Sequence, residues 1–410
     1  MAVNEPDLAH GRLVAVPGPS SSPLALGFVS TYGPTKCGLA TFTASLTQAL
    51  ELDSENIGIV SCVDEANVTS HPADVVAEWV RMSEASLENT ADRLNEYDAV
   101  VIQHEFGIFG GQDGDDVLTL VARLDVPVIV VLHTVLPNPS PHQRMVIESL
   151  ATIADRVVAQ SQVARTRLLE AYRVDPGRVV VIQHGAHANL APRVVPEPSS
   201  GRPVILTWGL MGPGKGIEHA IDAVAKLRDL DPRPEYVIMG ETHPKIVEQS
   251  GEAYRESLLA RAEAAGAADL VRFMGGYHDT PAILAQIRRS DIVLLPYLSR
   301  EQVVSGVLVE AIASGKPTVA TAFPHAVELL SEGSGIVVPH EDPDAMAVAL
   351  RTLLTDAMRA AHAAAAARRQ APALFWPTVA KEYEQLARHV VLNPGCRRPS
   401  DRSINRRSRI

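Results

Sequence analysis

Short apolar runs rich in β-branched residues alternate with helical patterns along almost the whole chain. In the first half the predicted strands are Leu26–Ser30, Ile57–Cys62, Ala99–Gln103, Val128–Leu132, Arg156–Ala159 and Val179–Gln183. Helical patterns between them include Leu39–Leu52, Gln143–Ala154 and Gln162–Tyr172. Strands that alternate with helices in this way are typical of a parallel sheet with helices on its faces.

The same alternation begins again after Val195–Pro203, a segment rich in proline, serine and glycine that indicates a linker. Here the predicted strands are Val204–Trp208, Tyr236–Met239, Val271–Met274, Ile292–Pro296, Thr318–Thr321 and Ile336–Val338, with helices such as Ile217–Leu230, Tyr254–Ala265 and Pro281–Arg289. We therefore expect an α/β fold with two doubly wound domains, residues 25–197 and 203–372. Ligands of such folds bind in a cleft at the carboxyl ends of the strands.

The ends of the chain differ from this pattern. The alanine-rich segment Asp356–Ala371 predicts a surface helix, and an amphipathic helix follows to about Val390. We expect disorder in residues 1–24 and in the polar segment 393–410, which carries six arginines. These arginines either stay solvated or contact an anionic membrane surface.

Composition excludes several classes of protein. The 410 residues suggest two or three domains, and a net charge of −11 argues against general nucleic-acid binding. Cys37, Cys62 and Cys396 show no CxxC spacing, which fits a reducing cytosol without disulfides or structural zinc. The N-terminus lacks a basic, then apolar, signal-peptide pattern, and no apolar run approaches the roughly 20 residues that span a bilayer. We expect a cytoplasmic protein whose membrane contact, at the inner face of the plasma membrane, is peripheral.

The segment SGVLVEAIASGKPTVA (305–320) predicts a nucleotide site. A small-residue turn opens a helix, and the free N–H groups and partial positive charge of a helix N-terminus suit a phosphate. Glu310, one turn further on, is placed to accept hydrogen bonds from ribose hydroxyls. Diphosphate and ribose together are the chemistry that this segment can serve.

A second glycine-rich turn, GLMGPGKG (209–216), follows a predicted strand and opens a helix. It nearly matches a P-loop, but Gly216 replaces the Ser or Thr that would bind magnesium. GxGxxG spacing is absent, so an oxidoreductase-type dinucleotide fold is unsupported. Lys215 with Gly209 and Gly214 could meet a diphosphate; the alternative is a simple strand–helix turn with a solvated lysine.

Other polar residues follow predicted strands and leave two interpretations open. The DxD of Asp113 and Asp115 either holds a divalent metal or caps a helix, and we favour the cap. No complete ligand set accompanies the histidines, so zinc is not expected. The strand-end residues are His104, Glu105, His133, His184 and His187, which are either structural or catalytic. Lys36, Gly38 and Thr41 belong to a loop that either lines the cleft or is ordinary surface.

Five segments in a fixed order carry a resemblance to a known family. They are KCGLATFT (36–43), IQHEFGIFGGQDG (102–114), LHTVLPNPSP (132–141), the 209–216 turn, and SGVLVEAIASGKPTVAT (305–321) with FPHAVELL (323–330). Over residues 25–392 the chain resembles retaining glycosyltransferases with the GT-B fold, family 4 (group 1), and within them a mannosyltransferase-like bacterial branch. The resemblance implies two Rossmann-like domains facing across a cleft, with helix 376–392 packed back on the first.

The resemblance also implies roles for residues. Glu310 matches the second glutamate of an E-x7-E motif, which binds ribose. Ser305, Gly306, Val307 and Leu308 match the turn whose N–H groups bind the diphosphate, with Gly209, Gly214 and Gly38 approaching it. Lys215 would steady the departing diphosphate, and His133 would lie near the donor sugar. Lys36, Glu105 and His104 become acceptor-side candidates.

Two departures from the family pattern concern the donor. Gln302 stands where the family has its first glutamate, which contacts the donor sugar, and Leu210 stands where an arginine is common. Arg300 could compensate. We expect a hexosyltransferase that uses GDP-mannose or UDP-glucose without cofactor or essential metal, and a carbohydrate or lipid-linked acceptor. The alternatives are a GT-B epimerase or phosphorylase, or a non-catalytic sugar-nucleotide-binding protein.

Overall fold

The computed structural model describes residues 24–50, 56–66, 72, 74–190 and 201–393. Most of the N-terminal segment, the first part of the predicted linker (195–200) and the arginine-rich end therefore lie outside the described residues. The chain divides into two units, one formed by residues 1–183 and 376–410 and the other by residues 184–375.

The first unit is built on a seven-stranded parallel sheet with the order β3-β2-β1-β4-β5-β6-β7. Its strands are β1 (Leu26–Ser30), β2 (Ile57–Val63), β3 (Val75–Val80), β4 (Ala99–His104), β5 (Val128–Leu132), β6 (Arg156–Ala159) and β7 (Val179–Val181). Its helices are α1 (Gly38–Ala49), α2 (Glu84–Leu94), α3 (Asp116–Ala122), α4 (Pro141–Ile153), α5 (Gln162–Ala171) and, from the end of the chain, α14 (Trp376–Leu392).

The second unit repeats this plan with six parallel strands in the order β10-β9-β8-β11-β12-β13. Its strands are β8 (Val204–Trp208), β9 (Glu235–Met239), β10 (Val271–Met274), β11 (Ile292–Leu295), β12 (Thr318–Thr321) and β13 (Gly335–Val338). Its helices are α6 (Ile217–Ala225), α7 (Pro244–Ser250), α8 (Ala253–Ala264), α9 (Thr280–Arg289), α10 (Gly306–Ala313), α11 (Pro324–Leu329), α12 (Pro343–Thr355) and α13 (Ala357–Leu374).

In each sheet the chain winds outward in one direction, returns to the centre and then winds outward in the other. The reversals lie between β1 and β4 and between β8 and β11, which are hydrogen-bonded neighbours. Loops that leave the carboxyl ends of such neighbours diverge, and ligands of doubly wound sheets bind there. The strand order thus marks one candidate edge in each unit.

The central predicted strands are recovered because their apolar runs are buried on both sides. All residues of β1, β5 and β11 are buried, as parallel strands between helical layers require. The sequence missed β3, an edge strand in which only Trp79 is buried. A half-exposed edge strand lacks the continuous apolar run that identifies the central ones.

The division between the units falls before the predicted linker rather than within it. Residues 184–190, which we expected in the first domain, belong to the second unit. The Ala186 N–H donates to the Leu374 carbonyl at 2.7 Å, and Ala186 forms a bridge to Phe375. Backbone hydrogen bonding, which composition does not reveal, sets this boundary.

Helix α13 is more than the surface helix that its composition suggested. Ala363, Ala366, Ala367 and Ala371 form a buried stripe, and the helix packs against α10 and α12. Alanine side chains allow two helices to approach closely, so the alanine-rich face of α13 packs directly against α10. In the described part of the chain, none of the helices combines the length and apolar character that crossing a bilayer requires.

Helix α14 contributes its apolar face to the core of the first unit. Trp376, Val379, Tyr383 and Leu386 are buried there with residues of β1, β4 and α1. This packing explains why residues separated by almost two hundred positions from the rest of the unit remain part of it.

We predict that Leu386→Ala lowers the free energy of unfolding by about 2–5 kcal/mol, because it leaves a cavity in a packed core. Leu386 is fully buried, whereas Leu392 on the same helix is 67% exposed. Leu392→Ala is therefore the matched control, with an expected change below about 0.5 kcal/mol. Urea denaturation measures both; equal effects of the two substitutions would contradict this packing.

Candidate active site

The two glycine-containing segments predicted to bind phosphate lie side by side in the second unit. One follows β8 and the other follows β11, and these strands are neighbours. The Leu298 N–H donates to the Gly214 carbonyl at 3.1 Å. Gly216 has φ +62°, and a Cβ there would lie 2.0 Å from the Pro296 carbonyl oxygen. Only glycine permits this approach, so the residue that departs from a P-loop is the one that joins the two loops.

Lys215 is held by an aromatic face. Its Nζ lies 4.2 Å from the centroid of the Tyr297 ring, and Tyr297 stacks on Phe323 with centroids 5.5 Å apart. Among the described residues, none supplies Lys215 with a carboxylate partner. A cation–π contact orients the ammonium group without neutralising it, which leaves its charge available to an anion.

The turn at the start of α10 offers fewer N–H groups than the sequence suggested. Ser305 is the N-cap, and its Oγ accepts from the Leu308 N–H at 3.3 Å. Gly306 and Val307 occupy the first two helical positions, whose N–H groups have no partner within a helix. The N–H groups free to bind an anion are thus those of Gly306 and Val307, while Leu308 serves the cap and the core.

Glu310 lies one turn into α10 and is oriented by the segment that follows β7. Its carboxylate oxygens accept from the His187 N–H at 3.2 and 3.4 Å, and the His187 ring Nδ1 lies 3.3 Å from Oε1. The Glu310 side chain is 16% exposed. A carboxylate has about four acceptor positions, so this contact fixes its direction and leaves capacity for two further hydroxyl donors.

Gln302 lies in the loop that leads to this turn. The side-chain Nε2 of Gln302 donates to the Val304 carbonyl at 2.9 Å. The backbone carbonyl of Gln302 accepts from the His325 N–H at 3.2 Å. Arg300, the suggested substitute for the missing arginine, pairs instead with Glu341 at 3.2 Å, and both side chains are more than half exposed. The structure therefore gives Arg300 a surface ion pair.

Two further histidines surround the start of α10. A Cβ at Gly306 would lie 2.8 Å from the His184 ring, so this ring packs directly against the turn. His184 Nδ1 lies 2.7 Å from the Gly185 carbonyl, which it can reach as a donor. His325 is buried, and its Nδ1 accepts from the Ser305 N–H at 2.9 Å.

Burial keeps both of these rings neutral near pH 7. It lowers the pKa of His184 to about 4, and together with nearby His184 it lowers the pKa of His325 to about 3. Sequence reasoning gave His325 no role. The only signal was its place in FPHAVELL, which follows β12 and contains the first turn of α11.

In the first unit, His133 and Gln103 meet at the carboxyl ends of β5 and β4. The His133 Nε2 lies 2.7 Å from the Gln103 Oε1, and the His133 ring meets Phe42 edge-on at 4.9 Å. The Gln103 amide and Phe42 together fix the ring. His133 is thus an oriented strand-end histidine of the first unit, as the sequence placed it.

Glu105 and His104 have different environments, although they are neighbours in sequence. Glu105 accepts from the Thr134 hydroxyl and from the Phe106 N–H, and burial raises the pKa of its carboxyl group. His104 is fully buried, and its ring packs against Phe106 and Phe109. Contact of the His104 ring with an acceptor is therefore excluded in this conformation, which corrects its choice as a candidate.

Gly38 and Lys36 lie in the loop before α1. Gly38 begins the helix after the N-cap Cys37, whose Sγ accepts from the Ala40 N–H at 3.5 Å. Both Gly38 and Lys36 are exposed, and a Cβ at Gly38 would meet no atom within 4 Å. The open space at Gly38 is compatible with approach of a ligand.

The Asp113–Asp115 pair does not act as the expected helix cap. Asp115 precedes α3 but makes no side-chain cap hydrogen bond. Instead the His142 ring lies between the two carboxylates, 3.0 Å from Asp113 and 3.3 Å from Asp115. His142, on the neighbouring helix α4, is thus the partner of these carboxylates, and the backbone N–H groups of α3 are not. The residues that the structure describes contain no group of three or more His, Cys, Asp or Glu arranged for a metal.

Two family models for glycosyltransferases match parts of the chain. Residues 193–370 match the family model "Glycosyl transferases group 1", and residues 70–190 match "Glycosyltransferase Family 4". Each match covers less than half of the chain, so parts of the two units are similar to glycosyltransferase domains. The first of these matches includes Lys215 and the 305–310 turn, and the second includes Gln103, Glu105 and His133.

Related proteins extend this result. The D-inositol 3-phosphate glycosyltransferase of Kineococcus radiotolerans is 29% identical over 315 residues, 68% of this chain and 70% of that protein. The glycogen synthase of Mycobacterium tuberculosis is 26% identical over 298 residues, 70% of this chain and 68% of that protein. The crystal structure of HepE from Anabaena with UDP and glucose has a TM-score of 0.70 at 19% identity and covers 90% of this chain and 99% of that chain. The predicted fold class, two Rossmann-like domains as in GT-B glycosyltransferases, is confirmed.

We predict that His104→Leu flattens the acid side of the stability profile. Burial lowers the pKa of His104 to about 4 in the folded protein, against about 6.5 unfolded. As the pH falls, His104 is therefore protonated first in the unfolded chain, which favours unfolding. The contribution of the neutral His104 ring to the free energy of unfolding is complete above pH 6.5 and is lost between pH 6.5 and about 4. In His104→Leu, the slope of the free energy of unfolding against pH should be smaller by about 1.4 kcal/mol per pH unit in that window.

Denaturation at a series of pH values measures this slope. The control is His362→Leu, which removes an exposed histidine from α13. An identical slope in His104→Leu and the unaltered protein would show that the His104 ring is not buried as described.

Proposed function

We propose that this chain is a retaining glycosyltransferase that moves a hexose, mannose or glucose, from a nucleoside-diphosphate sugar to a hydroxyl group of a carbohydrate or lipid-linked acceptor. The observation that carries the proposal is the arrangement at the carboxyl ends of β8 and β11. There Lys215, the Gly306 and Val307 N–H groups and Glu310 belong to adjoining loops of one unit. Lys215 and the two N–H groups suit a diphosphate, and the Glu310 carboxylate suits the ribose hydroxyls.

Donor binding divides between two kinds of group. The diphosphate would receive hydrogen bonds from the Gly306 and Val307 N–H groups, where the α10 dipole adds favourable potential. The ribose hydroxyls would donate to Glu310, which His187 already holds in position. Because the main-chain groups are fixed by the helix, the site needs little rearrangement to bind an anion.

Transfer would proceed as follows. The bond from the anomeric carbon to the phosphate oxygen breaks, a bond to the acceptor oxygen forms on the same face, and the acceptor proton passes to the departing phosphate. Positive charge develops on the sugar and negative charge on the diphosphate. Lys215 and the turn N–H groups favour this state over the bound donor because the diphosphate charge grows as the bond breaks. No metal or cofactor is part of the proposal.

Two donors remain candidates. GDP-mannose follows from the resemblance to a mannosyltransferase-like branch, and UDP-glucose is supported by the HepE complex with UDP and glucose. Gln302, which stands where the family has a glutamate, is tied to the Val304 carbonyl. The amide that would meet the sugar is therefore partly occupied within its own loop.

This occupied amide favours one alternative, a protein that binds sugar nucleotides without transferring the sugar. An epimerase of the same fold is the other enzyme candidate, whereas a phosphorylase would require a lysine that holds pyridoxal phosphate, and the sequence supplies no clear candidate. Incubation with a labelled nucleotide sugar separates these functions. A transferase yields labelled glycoside, an epimerase an isomeric donor, and a binding protein neither.

The remaining parts of the proposal concern the first unit and the chain ends. Gly38, Lys36, His133 and Glu105 are proposed to serve the donor sugar and the acceptor, since they follow β1, β5 and β4 of the first unit, and His133 and Glu105 lie within the Family 4 match. We place the protein in the cytoplasm. Contact between the arginine-rich end and anionic lipid at the inner face of the plasma membrane is proposed from charge alone.

We predict that Glu310→Ala weakens binding of the preferred nucleoside diphosphate by about tenfold or more, because hydrogen bonds to a charged group contribute about 1.5–3 kcal/mol. The loss should concern the ribose. The unaltered protein should prefer the ribonucleotide to its 2′,3′-dideoxy analogue, and the variant should bind both equally. Calorimetry with GDP, UDP and their dideoxy forms measures this preference. If the variant preferred the ribonucleotide as strongly as the unaltered protein does, Glu310 would have no role in binding ribose.

We predict that Lys215→Ala lowers kcat for donor turnover by on the order of 100-fold, since removal of one group that stabilises developing negative charge has effects of this size. The measurement is release of nucleoside diphosphate from GDP-mannose or UDP-glucose. Lys226→Ala is the matched control, because Lys226 is paired with Asp344 at 2.8 Å. Unchanged kcat/KM in Lys215→Ala would count decisively against the mechanism.

A further inference from the structure

His325 holds the loop before α10 at two points. Its backbone N–H donates to the Gln302 carbonyl at 3.2 Å, and its ring Nδ1 accepts from the Ser305 N–H at 2.9 Å. The residue is 3% exposed and lies in the first turn of α11, directly after Pro324. One residue of a neighbouring helix, through its backbone and its ring, thus contacts both ends of the loop that leads into the turn.

The hydrogen bond to Ser305 decides which way the turn faces. Ser305 is the N-cap of α10, with extended backbone angles (φ −139°, ψ 105°). Its N–H is taken by His325 and its Oγ by the Leu308 N–H. With both groups of the cap residue fixed, the peptide planes that carry the Gly306 and Val307 N–H groups have a set direction.

The chemistry of the contact specifies the ring. A backbone N–H can only donate, so Nδ1 must be an acceptor, and a neutral imidazole then carries its proton on Nε2. An asparagine side chain can present Oδ1 close to the position of Nδ1, whereas leucine fills similar space with no acceptor. The two substitutions therefore separate the hydrogen bond from the packing.

We propose that His325 is a positioning residue for the diphosphate-binding turn, acting through the Ser305 N–H. The proposal rests on the function inferred above. His325 does not touch the donor; it fixes the direction of the N–H groups that do. Without this acceptor the Ser305 peptide rotates, and the Gly306 and Val307 N–H groups lose their alignment toward the diphosphate.

The test compares His325→Leu, His325→Asn and the unaltered protein. Calorimetry gives dissociation constants for GDP and UDP and for the corresponding nucleosides guanosine and uridine. His325→Leu should weaken binding of the preferred diphosphate at least tenfold and change nucleoside binding less than twofold. His325→Asn should restore diphosphate binding to within threefold. His362→Leu, at an exposed position, is the control for loss of a histidine.

Amide hydrogen exchange of residues 303–308 supplies a second measurement on the same variants. Exchange should accelerate in His325→Leu and return toward the original rate in His325→Asn. Equal losses in the two variants, or parallel losses of diphosphate and nucleoside binding, would show a packing role and overturn the proposal. So would diphosphate binding that neither variant alters.

The result for the unaltered protein distinguishes failure of this inference from failure of the proposed glycosyltransferase function. If the unaltered protein binds GDP or UDP and the variants match it, only the role of His325 fails. If it binds neither nucleotide, the glycosyltransferase proposal fails and the role of His325 fails with it.

Discussion

The N-terminus of α10 is the constraint on which the second unit depends. A helix that begins beside a strand end leaves N–H groups without partners, and burying them would cost free energy. The Ser305 side chain takes one, and the His325 ring takes the N–H of Ser305 itself. The Gly306 and Val307 groups are left for an anion. The apolar remainder of α10 is buried against α13, so the helix cannot shift to satisfy them elsewhere.

Around this helix the polar residues are arranged in pairs that orient one another. His187 orients Glu310, Tyr297 orients Lys215, and His325 orients Ser305. Each pair joins a residue predicted from the sequence to a partner from another strand end. The buried histidines remain neutral because burial lowers their pKa values, so they act as hydrogen-bonding and packing groups rather than as cations. The positive charge available to an anion at this site thus comes from Lys215 and the helix dipole.

The first unit shows the same principle with fewer clear assignments. Gln103 and Phe42 orient His133, and Thr134 holds Glu105. His104 points into the core and Asp113 and Asp115 face His142, although their sequence patterns suggested an acceptor contact and a helix cap. A residue directly after a buried strand can face either layer, and the pleat of the strand decides which. Adjacent residues can therefore differ in exposure, as the fully buried His104 and the half-buried Glu105 do.

The sequence by itself determined the two sheets, nearly all of their strands, and the segments at 209–216 and 305–310, because buried β-branched runs and glycine turns are local properties. It missed β3, whose half-exposed pattern is weak, and it placed the boundary between the units too late. Only the tertiary structure decided which N–H groups stay free and which side chains orient the site. Glu310 meets a partner 123 residues away and Ser305 one 20 residues away. Such partners come together because parallel strands need crossovers, so neighbours at a sheet edge are distant in the chain.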